Sequence, residues 1–159
     1  MNSEKFPHLI RLASELTARH HTVAVAESCT GGLLGAALTN NAGSSAYFVG
    51  GILAYANSIK TEVLGVSDDV IRLEGAVSEP VVLAMARGVR AVTQADWAMA
   101  TTGIAGPDGG TPNKPVGTVW IGVIGPEACE SLCLALSGSR TEIREQTVSA
   151  AIDLLLRYL

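Results

Sequence analysis

The chain has 159 residues, 48% of them hydrophobic, and a formal net charge of −4 at pH 7. This length argues for one domain spanning residues 1–159, and the apolar content excludes a disordered chain. The sequence has no cluster of Lys and Arg, no run of about 18 apolar residues and no secretion signal, so we expect a soluble cytoplasmic protein that binds neither nucleic acid nor membrane.

Hydrophobic periodicity and turn residues predict alternating helices and strands. In chain order, the predicted elements are a helix over 7–19, a strand over 22–27, a helix that begins after residue 32, a strand over 47–56, a helix over 58–64, a helical turn over 68–73, a helix over 80–93, strands over 97–101, 116–124 and 129–136, and a last helix that begins near residue 139. Gly50-Gly51 indicates a bulge or a close backbone approach within the second strand. Asn57 and Ser78 are expected to be N-caps, and Ser139 and Glu142 have the spacing of a capping box.

The alternation predicts an α/β fold, namely a three-layer α/β/α sandwich with a mixed, mostly parallel sheet. Only a turn at Gly125-Pro126 separates the strands over 116–124 and 129–136, which indicates an antiparallel hairpin. We therefore expect one strand of the sheet to run against the others.

Two glycine-rich segments each follow a predicted strand. The first is Ser28-Cys29-Thr30-Gly31-Gly32, and the second spans residues 101–110. A turn at the carboxyl end of a strand presents hydroxyls and backbone N–H groups where α/β folds bind ligands. Two such turns in one small domain favour a site for an anionic group such as a phosphate.

Tyr55, Asn57 and Lys60 stand where the second strand passes into a helix. Burial at such a place would lower the pKa of the lysine so that it acts as a base, and the tyrosine hydroxyl could relay a proton. The nucleophile would be a serine hydroxyl, from Ser28 or from Ser44-Ser45. The spacing alone also fits a solvated lysine on a helix surface.

The first glycine-rich segment offers further ligand contacts. The N–H groups of Gly31 and Gly32 could reach a phosphate or an oxyanion. Ser28 could be a nucleophile on a turn between a strand and a helix, and it could equally cap the helix, a role that Thr30 could also fill.

The second glycine-rich segment is a long loop, and long loops in small domains are more often functional than idle. Thr102 and Gly103 end the strand before it, so their groups point into the same crevice, and Gly106 lies within the loop. Arg140 at a helix start is a candidate for binding a phosphate or a carboxylate, the alternative being a surface arginine.

Cysteine and histidine usage gives no sign of a metal. Cys29, Cys129 and Cys133 are an odd number without metal-ligand spacing, which predicts reduced core cysteines. No histidine joins a cluster of Cys, Asp or Glu, so we expect no metal site, and no cofactor is implied.

Six ordered motifs resemble the CinA C-terminal domain family, whose stand-alone members include the PncC-type nicotinamide mononucleotide amidohydrolases. The resemblance runs from about residue 10 to the end, so we expect a short, stand-alone member. The motifs are Ala26-Glu-Ser-Cys-Thr-Gly-Gly32, Ala42-Gly-Ser-Ser45, Tyr55-x-Asn-x-x-Lys60, Gly75-Ala-Val-Ser-Glu-Pro80, Gly103-Ile-Ala-Gly-Pro-Asp-Gly-Gly110 and Lys114-Pro-Val-Gly-Thr-Val119.

The resemblance implies hydrolysis of the carboxamide of nicotinamide mononucleotide to nicotinate mononucleotide and ammonia, without a cofactor. It implies Ser45 as the nucleophile, favoured over Ser28, with Lys60 as its base and Tyr55 assisting proton transfer. Sequence position alone leaves open which hydroxyl reaches the lysine. The residues that the resemblance assigns to substrate binding or oxyanion stabilisation are Ser28, Thr30, Gly31, Gly32, Thr102 and Arg140.

A second hypothesis keeps the pocket without the chemistry. In that case the chain is a pyridine-nucleotide-binding module linked to competence or regulation, which binds the nucleotide without turnover. The mean hydropathy of +0.33 favours self-association, so we expect a homo-oligomer.

Overall fold

A computed structural model describes residues 6–159 of the chain. The helices in this range are α1 Leu9–Ala18, α2 Leu33–Leu38, α3 Asn57–Glu62, α4 Asp68–Glu74, α5 Glu79–Thr93 and α6 Arg140–Leu156, and a 3-10 turn spans Ser44–Ala46. The strands are β1 Val23–Glu27, β2 Phe48–Leu53, β3 Trp97–Gly103, β4 Thr118–Ile124 and β5 Cys129–Ala135. None of these helices is long and apolar enough to cross a membrane.

The five strands form one mixed sheet in the order β2-β1-β3-β4-β5. Strand β1 pairs in parallel with both β2 and β3, whereas β4 pairs antiparallel with both β3 and β5. Strand β4 therefore runs against the other four, as the predicted hairpin required. The expectation of a mostly parallel sheet with one reversed strand is confirmed.

Helices cover both faces of the sheet and enclose a core on each side. Along β1, Val23 and Val25 face the core that α1, α2 and α6 cover, while Ala24 and Ala26 face the core that α5 covers. All four side chains are buried, because a central strand with helices on both faces has no solvent side. The three-layer α/β/α sandwich is confirmed.

Most of the predicted local signals are present, with one correction. Strand β2 is irregular next to Gly50, and a Cβ at Gly51 would lie 2.5 Å from Val25 Cγ2, so this strand has both the bulge and the close approach. Ser139 and Glu142 form the capping box of α6. The prediction that Asn57 caps a helix is wrong, because Ala56 occupies that position in extended backbone and Asn57 is the first helical residue.

The cysteines do not all lie in the core. Cys29 is buried, but Cys129 and Cys133 are exposed on β5. This edge strand has only one neighbour in the sheet, so its side chains are covered less completely than those of a central strand. The interpretation as three core cysteines is wrong for these two.

The chain leaves β1 and β2 toward opposite faces of the sheet. Helix α2, which follows β1, packs into one core, whereas the residues after α3, which follows β2, pack into the other. Neighbouring parallel strands whose connections diverge leave a crevice at their carboxyl ends, the usual ligand site of open α/β sheets. The crevice between β1 and β2 is therefore the candidate ligand site.

Candidate functional site

A cleft of about 220 Å³ opens at the carboxyl ends of β1, β2 and β3. Residues from both glycine-rich segments and from the start of α3 meet in it. Its lining consists of Ser28, Cys29, Tyr55, Asn57, Lys60, Ala76, Val77, Thr102, Gly103, Ala105 and Arg140. The lining includes the side chains of a lysine and an arginine but no carboxylate.

Lys60 is the most unusual of these residues, because its side chain is only 1% exposed. It lies on the last turn of α3, and its Nζ is 2.7 Å from the carbonyl oxygen of Ala54 and 3.2 Å from that of Tyr55. Burial lowers the pKa of Lys60 because the charged form loses its hydration. The solvated helix lysine that the sequence also allowed is therefore not what the fold contains.

Ser28 completes the contacts of this amine, since Lys60 Nζ lies 3.1 Å from Ser28 Oγ. The turn that carries the serine is fixed to β3, because the Ser28 N–H donates to the Thr101 carbonyl at 3.0 Å. A serine hydroxyl beside a partly desolvated amine is the arrangement that an activated nucleophile needs.

Ser45 lies elsewhere. It is exposed in the 3-10 turn that precedes β2, whereas Lys60 follows β2, and the six residues of that strand span on the order of 17 Å. Within one chain, the structure therefore brings Lys60 together with Ser28 and not with Ser45. The order of the predicted elements already indicated this separation, because residues before and after one strand lie at opposite ends of it.

The carboxylate of Glu27 stabilises the first glycine-rich turn. This buried carboxylate accepts hydrogen bonds from the N–H groups of Gly32, Leu34 and Gly35 at 3.0, 3.1 and 2.8 Å. The N–H of Gly31 donates to the Ser28 carbonyl at 3.1 Å. The N–H groups of both glycines thus have acceptors within the chain.

Thr30 also serves the fold rather than the cleft. Its side chain is fully buried, and its Oγ1 lies 2.8 Å from Thr101 Oγ1. Its carbonyl accepts from the Nε of Arg144 at 3.2 Å, which ties the turn to α6. The residue is absent from the cleft lining because the turn directs its side chain toward β3.

Tyr55 and Arg140 meet at the rim of the cleft. The guanidinium of Arg140 donates to the Tyr55 hydroxyl at 3.0 Å and to the Gly106 carbonyl at 2.7 Å. The Tyr55 side chain is 62% exposed. Gly106 therefore takes part through its carbonyl, as a support for the arginine, and a bound anion at Arg140 would compete with the tyrosine hydroxyl.

Thr102 and Gly103 lie where expected, at the end of β3 and in the cleft lining. The Thr102 hydroxyl already has a partner, since it donates to the Ala76 carbonyl at 2.8 Å. This bond fastens the segment between α4 and α5 to the end of β3.

Comparison with known proteins places this geometry in a family. The family model described as the CinA C-terminal domain matches residues 8–159. The chain belongs to the CinA C-terminal domain family.

Several relatives carry the name CinA-like protein. The one from Gemmatimonas aurantiaca is 51% identical over 146 residues, which are 92% of this chain and 34% of that protein. The one from Anaeromyxobacter dehalogenans is 46% identical over 152 residues, which are 96% of this chain and 37% of that protein. The chain thus spans about a third of the length of the curated relatives it matches.

Solved structures of the CinA superfamily have the same architecture. The competence/damage inducible protein CihA from Agrobacterium tumefaciens superposes with a TM-score of 0.95 at 37% identity, covering 99% of this chain and 96% of that one. A CinA superfamily protein from Escherichia coli gives a TM-score of 0.92 at 28% identity, covering 100% and 99%.

Sequence reasoning missed several parts of this CinA-family cleft. Ala76 and Val77 belong to the motif that begins at Gly75, to which the sequence assigned no ligand contact. Cys29 was assigned to the core, yet it also lines the cleft, and burial raises the pKa of its thiol to about 11, so the thiol stays protonated and unreactive near neutral pH. Two features of the sequence indicated these residues. Cys29 directly follows Ser28, and Ala76 and Val77 directly follow a glycine that ends a helix.

Proposed function

We propose that this chain is an amidohydrolase that converts nicotinamide mononucleotide to nicotinate mononucleotide and ammonia, with Ser28 as the nucleophile and Lys60 as its base. The observation that carries the proposal is the distance of 3.1 Å between Lys60 Nζ and Ser28 Oγ. The lysine is buried, and the lining of its cleft includes no carboxylate. The reaction and its substrate come from the family resemblance, and the choice of serine comes from the geometry.

The contacts of Lys60 fit a neutral amine that accepts a proton. A neutral amine has two N–H bonds and one lone pair. The carbonyls of Ala54 and Tyr55 can accept the two N–H bonds, which leaves the lone pair for the Ser28 hydroxyl. Burial favours this neutral form, because it lowers the lysine pKa.

In the first step, Ser28 Oγ bonds to the carboxamide carbon while its proton passes to Lys60 Nζ. The tetrahedral intermediate collapses when the C–N bond breaks, and the lysine returns the proton to the leaving nitrogen, so ammonia departs. A water molecule then attacks the acyl-serine ester, and Lys60 accepts one of its protons and returns it to Ser28 Oγ as the ester C–O bond breaks. The carboxylic acid that forms loses its remaining proton to solvent, so the products are the carboxylate and the free serine.

The rim would hold the anionic end of the substrate. Arg140 presents a guanidinium, the group best suited to bind a phosphate through two hydrogen bonds. Its contact with the Tyr55 hydroxyl places the tyrosine beside the bound nucleotide, where it could assist proton transfer. The absence of carboxylates from the lining favours an anionic substrate.

The test is to incubate the purified chain with nicotinamide mononucleotide and to measure ammonia and nicotinate mononucleotide together. We expect both products in equal amounts, and we expect Ser28→Ala and Lys60→Met to lower kcat by at least about 10³-fold, as expected when a nucleophile or its base is removed. Ser45→Ala is the matched serine control and should remain active.

Loss of activity in Ser45→Ala with retention in Ser28→Ala would transfer the nucleophile role to Ser45. Saturable binding of the nucleotide without either product would contradict the amidohydrolase and favour the binding module. Circular dichroism of each variant shows whether a lost activity reflects lost chemistry or a lost fold.

A further inference from the structure

The segment that joins α4 to α5 forms one wall of the cleft. We call residues 74–77 the wall segment, and two of its members, Ala76 and Val77, line the cleft with Ser28 and Lys60. Glu74 ends α4, and the Gly75 N–H still donates to the Ile71 carbonyl at 2.9 Å, but Ala76 and Val77 lie outside both helices. Something else must hold this wall in place.

Lys114 supplies the main attachment. Its Nζ donates to the carbonyl of Glu74 at 2.7 Å and to that of Val77 at 2.8 Å, so one ammonium bridges the two ends of the wall segment. The lysine comes from the loop between β3 and β4, where its own N–H and carbonyl are both bonded to Thr111. The backbone that carries this lysine is therefore held within its own loop.

The two inner carbonyls are held as well. Ser78 Oγ donates to the Gly75 carbonyl and Thr102 Oγ1 to the Ala76 carbonyl, both at 2.8 Å. Every carbonyl of the wall segment thus accepts from a side chain. Gly75 has φ +79°, and a Cβ there would lie 3.2 Å from Lys114 Nζ, so the turn and the lysine are fitted to each other.

Two amide N–H groups of the wall segment differ from its carbonyls. Within residues 6–159, the N–H groups of Ala76 and Val77 have no hydrogen-bond acceptor. Backbone donors beside a cleft that lack a protein partner are available to a ligand or to water. Holding all the carbonyls while leaving these two donors free is the pattern of a site prepared for an acceptor oxygen.

We propose that Lys114 is a positioning residue, which bridges Glu74 and Val77 so that the N–H groups of Ala76 and Val77 donate to the carbonyl oxygen of the amide under attack. This inference rests on the proposed function. When Ser28 Oγ bonds to the carbonyl carbon, the electron pair of the C=O π bond moves to the oxygen, and the two donors stabilise the charge that develops there. Lys114 itself does not touch the substrate.

The first experiment compares the steady-state kinetics of Lys114→Met with those of wild type on nicotinamide mononucleotide. We expect kcat to fall by about 10- to 100-fold, because the donors are misplaced, with KM within about twofold, because the contact strengthens only in the transition state. Lys114→Arg should recover most of kcat, since a guanidinium can also donate to two carbonyls.

Arg72→Met is the matched control, because it removes one exposed positive charge from neighbouring α4. It should leave kcat unchanged. A kcat for Lys114→Met within twofold of wild type, or an equal loss in Arg72→Met, overturns the inference. A loss of kcat that only parallels a fall in melting temperature and is not recovered by Lys114→Arg also overturns the inference.

A second measurement needs no change at Lys114. In Ser28→Ala, which binds without turnover under the proposed function, saturating nicotinamide mononucleotide should move the amide proton resonances of Ala76 and Val77 downfield. Shifts at Tyr55 and Thr102 without shifts at these two amides overturn the inference and leave the proposed function standing. A wild-type chain that releases no ammonia refutes the proposed function, and this inference falls with it.

Discussion

At the scale of single residues, the proposed chemistry depends on the buried amine of Lys60. Sequence spacing made Lys60 and Tyr55 candidates, because both lie where a strand passes into a helix, but the same spacing also fitted a solvated lysine. The partner serine was not fixed by the motifs, because the resemblance favoured Ser45 over Ser28 while sequence position could not show which hydroxyl reaches the lysine. The predicted strand between Ser45 and the lysine already argued against that pair, and the structure adds that the turn after β1 brings Ser28 to 3.1 Å from the amine.

The pH dependence of the reaction should report the protonation of Lys60. The proposed base acts only when neutral, so kcat/KM should rise with pH as the amine loses its proton. Since burial lowers the pKa of Lys60 from its ordinary value of 10.5, the midpoint of this rise should lie below 10.5. The measurement is kcat/KM for nicotinamide mononucleotide across the pH range in which circular dichroism shows a folded chain.

Tyr55→Phe tests whether the rising limb belongs to Lys60. The variant should be slower but should keep the rising limb at the same midpoint, because the limb belongs to the lysine. A limb that vanishes with the tyrosine hydroxyl, or a midpoint at or above 10.5 in wild type, would assign the titration to another group.

At the scale of elements, the helices and strands were predictable but some of their end contacts were not. Ser139 caps α6 as its spacing indicated. Ser78 stands at the N-cap position of α5, but its hydroxyl donates to the Gly75 carbonyl instead of accepting from the helix. The cap of α2 comes from Glu27 at the end of β1, which no local capping rule anticipates, because the carboxylate reaches across the intervening turn.

Replacing Glu27 by Gln tests that cap. The amide would keep one oxygen and would place an NH₂ group among backbone N–H donors, so at least one buried donor would lose its acceptor. We expect the free energy of unfolding to fall by about 2–3 kcal/mol, measured by urea denaturation. Glu62→Gln on the exposed end of α3 is the control and should change the stability by less than about 0.5 kcal/mol. Equal stability of the two variants would show that the carboxylate does not hold the turn.

At the scale of the whole molecule, layer order was predictable and strand order was not. Alternating elements imply helices on both faces, and a short hairpin implies one reversed strand. The neighbours of a parallel strand depend on the face along which each connection crosses, and that choice is made by packing between distant segments. The crevice between β1 and β2 follows from such a choice, so the sequence could indicate a ligand site without locating its walls.

Close packing within one helical layer gives a prediction opposite to helix propensity. In α5, a Cβ at Gly88 would lie 2.0 Å from the carbonyl oxygen of Leu64, just beyond the helix that carries Lys60. Gly→Ala in a free helix stabilises by about 1 kcal/mol, but here we expect Gly88→Ala to destabilise by about 1–3 kcal/mol in urea denaturation. Ala91→Gly, at an exposed position of the same helix, should cost about 1 kcal/mol. A stabilised Gly88→Ala would mean that α5 and the residues after α3 can separate without cost.

The charge of the cleft has a further consequence for the rate at which an anion arrives. The chain carries a net charge of −4, yet the lining of the cleft presents a guanidinium and no carboxylate. A distant nucleotide is repelled by the molecule as a whole, whereas one at the rim is attracted, and dissolved ions weaken both effects over roughly 10 Å at 0.1 M. We expect the local attraction to dominate, so raising sodium chloride from about 0.05 to 0.5 M should lower kcat/KM and leave kcat unchanged. An increase would mean that the acidic surface, and not the rim arginine, governs the encounter.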